Sequence, residues 1–198
     1  MTLNQILEIA KELETWIHEH TNEIDCPDNP GLTLLQQSQD ICSALIILIG
    51  ANLPGPAYAL VRSMLDSYVR GLWLLNHASE EEIKMFLAGN ELPGFKKLLD
   101  AIGNDEETGS AWIHKISEFN REAFHGFTHG GIEHVLRRIA DHSIQPNYPE
   151  KEQIRLMHLQ IGIQFAIGYD LLVLANNQAE IKKLEEIAQQ YGATVHGI

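Results

Sequence analysis

The sequence predicts an all-α fold, a single-domain helical bundle over residues 1–198. Apolar residues recur at three- and four-residue spacing in every long segment, and no run alternates with the period of a strand. Glycine and proline clusters punctuate these segments without interrupting them.

Residues 2–20 set Ile6, Ile9, Leu13, Trp16 and Ile17 at helical spacing, with Glu8, Lys11, Glu12 and Glu19 opposite. Cys26-Pro27-Asp28-Asn29-Pro30-Gly31 is a loop by its composition. Leu32 to Gly50 follows as a second helix whose end, Ala44 to Ile49, is apolar on every face and is expected at the bundle centre. Pro54-Gly55-Pro56 turns the chain, with Pro56 well placed at a helix start, and a third helix runs from about Ala57 to His77. Ser79-Glu80-Glu81-Glu82 is a capping box that opens a short helix to Leu87. Phe95 to Ile102 is another amphipathic piece, ended by Gly103-Asn104-Asp105. From Glu106 a longer helix turns Trp112, Ile116 and Phe119 inward. Ile132 to His142 reads as a helix with Val135, Leu136 and Ile139 on its apolar side. Pro146-Asn147-Tyr148-Pro149 is a loop, and helices over Glu150–Asn176 and Gln178–Tyr191 complete the chain.

The formal charge of −13, from 27 acidic and 14 basic side chains, repels nucleic acid and anionic membranes overall. Any contact with RNA is therefore expected to be local. Cys26 and Cys42 have no metal-binding spacing and make no disulfide framework, which suits a reducing cytoplasm. The N-terminus lacks a signal-peptide pattern, and the apolar run Ile41–Leu53 is too short and interrupted to span a bilayer. A soluble cytoplasmic protein with no membrane partner is expected.

Two polar sets stand out from this helical background. Arg62, Asp66 and Arg70 follow one another at i, i+4 on the otherwise apolar third helix. They form either a solvated ladder or a guanidinium pair held by Asp66, able to grip a phosphate or carboxylate. The second set is Phe124-His125-Gly126-Phe127-Thr128-His129-Gly130-Gly131. His125 and His129 share a helix face until the paired glycines end the helix. Beside Arg121, they suit proton transfer at a ribose hydroxyl or leaving oxygen. Metal ligation would need a further ligand, since no His-Glu-x-x-His arrangement is present; packing or surface roles are the remaining use. No metal or cofactor is expected.

The segment Ala59-Leu60-Val61-Arg62-Ser63-Met64-Leu65-Asp66 with Arg70-Gly71-Leu72-Trp73-Leu74, followed much later by Phe127-Thr128-His129-Gly130-Gly131, resembles an uncharacterised bacterial domain-of-unknown-function family of about this length. More distantly the chain resembles the HEPN superfamily of helical ribonucleases and defence proteins. Their motif is an Arg and a His separated by four to six residues, which cleaves RNA without metal across a dimer. Here three residues separate Arg121 from His125, and seven separate it from His129. The resemblance implies a defence or toxin–antitoxin module, acting as a homodimer on RNA or with a protein partner. Arg62, Arg70 and Arg121 would then hold phosphate, Asp66 would orient the arginines, and His129 with His125 would move protons. The other reading is a non-enzymatic helical binding protein whose Arg-Asp-Arg stripe is structural. A homodimer is expected to form through the apolar long helices.

Overall fold

Helical periodicity is realised along most of the chain. The structure, a computed structural model, describes residues 1–21, 29–103, 126–140 and 143–196. Its elements are α1 (Leu3–Thr21), α2 (Pro30–Gly50), α3 (Pro54–Asn76), α4 (Glu80–Leu87), α5 (Phe95–Gly103), α6 (Ile132–Leu136), β1 (Ile139–Ala140), β2 (Ser143–Ile144), α7 (Glu150–Leu174) and α8 (Gln178–His196). The predicted helix beginning at Glu106, with Trp112, lies outside the described residues, as do Cys26, Arg121 and His125.

The chain divides into two compact units, a terminal one (1–25, 42–52 and 148–198) and a central one (26–41 and 53–147). In the terminal unit α7 packs against both α1 and α8. Gly168 lets them approach: a Cβ there would lie 3.1 Å from Ile17 of α1 and 3.4 Å from Leu184 of α8. The core joins Ile6, Leu13 and Ile17 to Met157, Ile161 and Ile167. Glu150 at the start of α7 accepts a hydrogen bond from the Leu3 amide, one of the donors that the first turn of α1 leaves open (3.1 Å).

In the central unit α2 and α3 meet at glycines. A Cβ on Gly31 would sit 2.8 Å from the Gly71 carbonyl, and one on Gly71 would sit 2.9 Å from the Gly31 carbonyl. Two turns further along α2, the buried Ser38 hydroxyl donates to the Met64 carbonyl (2.9 Å). α5 packs on α3 and buries Leu98, Leu99 and Ile102. The predicted capping box is present: the Ser79 hydroxyl accepts from the Glu82 amide, and Glu82 accepts from the Ser79 amide. Those hydrogen bonds, the backbone one first, hold the Glu82 carboxyl below its usual range.

Several expectations need correction. α3 starts at Pro54, not Ala57, because the ring's fixed φ suits the first helical turn. The end of α2 is not enclosed on every face, since Ile47 is 68% exposed. Apart from these corrections, α2 and α7 are each long and apolar enough to cross a membrane by length and composition alone, a test that the core helices of soluble proteins also pass; 33% and 61% of their apolar windows are buried in the fold.

The helix expected to reach His142 stops at Leu136. Its last turn tightens as the Arg138 amide bonds the Val135 carbonyl (3.0 Å). The chain then pairs antiparallel, with Ile139 opposite Ile144 and Ala140 opposite Ser143. The Gln145 and Asn147 amides extend this pairing onto the Arg138 and Arg137 carbonyls (3.0 and 2.8 Å). A five-residue helix has little cooperative stability, so cross-strand bonds and a β-branched pair prevail there. Val135, Leu136 and Ile139, expected to face inward, are all exposed.

Candidate functional site

The stretch after residue 125 docks on α3 through Phe127. This ring is 3% exposed. It lies 4.8 Å from Tyr58 of α3 and 5.2 Å, edge-on, from His134 of α6. The Arg137 guanidinium stands 5.1 Å from its centroid, a cation–π distance. The next residue, Thr128, donates its hydroxyl to the Ala59 carbonyl of α3 (3.2 Å).

The glycines make this turn possible. Gly130 has φ +68°, which L side chains rarely adopt. The Gly131 amide bonds the Gly126 carbonyl (2.6 Å). A Cβ on Gly131 would lie 2.8 Å from the Gly126 Cα, and one on Gly126 would fall on the Glu133 carboxylate. These close approaches fold the turn on itself and onto Glu133, and they leave His129 exposed at its tip.

On α3, Arg62 lies one turn beyond Ala59, the residue that holds Thr128. Its Nε is 3.6 Å from Asp66 Oδ2, and the two side chains are 26% and 27% exposed. Arg70 is exposed. Eight residues of helix put Arg70 about 12 Å further along the axis from Arg62 and rotate it by about 80°. The i, i+4 stripe therefore drifts out of the enclosed face, and one small anion would not reach both arginines. The fold thus attaches the turn that bears His129 one helical turn from the Arg62–Asp66 pair. Arg121 and His125 lie outside the described residues. Among the described residues, no group of three or more His, Cys, Asp or Glu side chains gathers as a metal site would require.

Residues 36–196, which include α3, the glycine turn and α7, match a family of unknown function (DUF6988). The chain belongs to that family. No curated protein and no solved structure matched it.

Two side chains that support the site in this DUF6988 chain were not selected from sequence: His134 and Arg137, both packed on Phe127. Their i, i+3 spacing was a usable signal, because it brings Arg137, the residue that caps the end of α6, to the side of the helix that carries His134. Nothing in the sequence indicated that Phe127 would be the ring they meet.

Proposed function

We propose that this protein is a HEPN-like RNA-cleaving module of a bacterial defence or toxin system, cytoplasmic and homodimeric, with a local phosphate site on α3. The reading is supported by the hydrogen bond from Thr128 to Ala59, which ties the His129 turn to α3 one helical turn before Arg62. Arg62, steadied by Asp66, offers planar donors to a phosphodiester oxygen. Arg70 and Arg121 contact flanking phosphates.

In the cleavage step the ribose 2′-oxygen attacks phosphorus and the bond to the 5′-oxygen breaks. This leaves a 2′,3′-cyclic phosphate and a 5′-hydroxyl. One imidazole takes the 2′-hydroxyl proton and another delivers a proton to the departing 5′-oxygen; His125 and His129 fill these roles. Placed acid–base groups contribute about 10²–10⁴-fold to such a rate. His129→Ala should therefore lower RNA cleavage by at least about 100-fold while circular dichroism stays unchanged. Unchanged cleavage by that variant refutes the assignment.

The second reading, a non-enzymatic helical binding protein, is favoured by the Arg62–Asp66 contact at 3.6 Å, which gives Arg62 a structural use. It requires that Arg62→Met lower thermal stability and that the wild-type chain turn over no RNA at any pH.

A further inference from the structure

The central unit carries an exposed apolar strip bordered by basic residues, and an acidic helix that is exposed over much of its surface. The strip runs along α6 and the β1–β2 pair, where Ile132, Val135, Leu136 and Ile139 are exposed and Ile144 is 89% exposed. Large apolar side chains gathered over so few residues mark an interaction surface, whereas scattered single ones do not. Two basic residues, Arg137 and the exposed Arg138, occupy the turn joining α6 to β1.

The acidic helix is α4. It is well made, with a capping box at its start, yet it buries none of its residues. Met85 and Leu87 are 50% and 65% exposed. Its first turn carries Glu80, Glu81 and Glu82. A short amphipathic helix gains most of its stability from a packed apolar face; here Ile83 and Phe86 are half-buried, while Met85 and Leu87 stay in solvent and leave room for a partner.

We propose that the strip on α6 and β1–β2 receives α4 of a second copy of this chain, and that the exchange is reciprocal about a two-fold axis. Charge complementarity selects the occupant. The chain carries −13 overall, so copies repel unless a basic face meets an acidic one. Arg137 and Arg138 supply the basic face, and Glu80 to Glu82 supply the acidic one. Stable interfaces bury about 1,200–2,000 Å² in total, and a two-fold arrangement makes the α4-to-strip contact twice. This interface differs from the expected pairing of long helices, and it does not depend on the Arg62–His129 reading.

The test uses the full chain in sedimentation equilibrium with two exposed-site variants, Arg138→Glu and Glu81→Lys. Each homodimer then sets like charges together at both contacts, so each variant should dimerise about tenfold more weakly than wild type. Mixed in equal amounts, the two restore opposite charges at both contacts, and a heterodimer of near wild-type affinity should form. Leu136→Ser should weaken dimerisation of the wild-type chain in low and high salt alike. A wild-type chain that stays monomeric at every concentration overturns the proposal and leaves the strip to a different protein. Dimerisation indifferent to both charge variants, or a mixture that fails to recover, overturns it equally.

Discussion

Gln164 on α7 is 1% exposed, and neither its amide oxygen nor its amide nitrogen finds a hydrogen-bond partner among the described residues. Burying an amide without a partner costs about 1–3 kcal/mol in protein mutational series. Methionine matches glutamine in length and flexibility, so replacing one by the other removes the polar atoms without opening a cavity. Gln164→Met should therefore stabilise the chain by about 1–3 kcal/mol, and a domain of this size gains about 2–4 °C in Tm per kcal/mol. Gln160, one turn earlier, is an internal comparison. It is also buried, but its Nε2 donates to the Cys42 carbonyl at 3.4 Å while its Oε1 has no partner among the described residues. Gln160→Met gives up that bond, so its gain should be smaller by about 0.5–1.5 kcal/mol. Urea unfolding followed by circular dichroism measures both, a higher midpoint at unchanged slope being the stabilising signature. A lower midpoint for Gln164→Met would refute the reasoning, and it would mean that solvent satisfies the amide in the folded chain.

Gly71→Ala places a methyl group 2.9 Å from the Gly31 carbonyl and 3.0 Å from Leu35. Because backbone cannot easily yield, it should destabilise the central unit by about 1–3 kcal/mol, read as a lower urea midpoint. Ser79→Ala removes the cap of α4 and should speed amide exchange in Glu80–Leu87 with little effect on α3, which exchange mass spectrometry resolves. Asp170, partly buried on α7, has its carboxyl pushed up to about 7 by burial. The folded chain thus keeps a proton there that the unfolded chain loses near pH 4, so this group's contribution falls as pH rises from about 4 to about 7. Asp170→Asn should flatten the fall in denaturation midpoint over that window; an unchanged slope would show that Asp170 titrates alike in both states.

The helices were legible from residue order because their signals are local. The Ser79–Glu82 box and the glycines of the turn each act within a few residues through backbone sterics and neighbouring donors. Of the candidate site, the Arg62–Asp66 pairing was equally legible, since i, i+4 neighbours meet on any helix. Other features required knowledge of which surface covers which. Trp16, expected in the core, is only partly buried and stacks on His20 at 4.3 Å, and the ring nitrogen of His20 lies 3.4 Å from the Glu180 carboxylate of α8.

The sequence by itself determined an all-helical chain, the positions of most helix ends and the glycine turn behind His129. Tertiary structure alone decided that Phe127 seats this turn beside Tyr58, and that Thr128 binds the Ala59 carbonyl. It also decided that α6 gives way to paired strands and leaves its apolar residues in solvent. The physical reason is that periodicity defines a face relative to a helix's own axis, whereas the neighbour covering that face is set by packing across residues far apart in the chain.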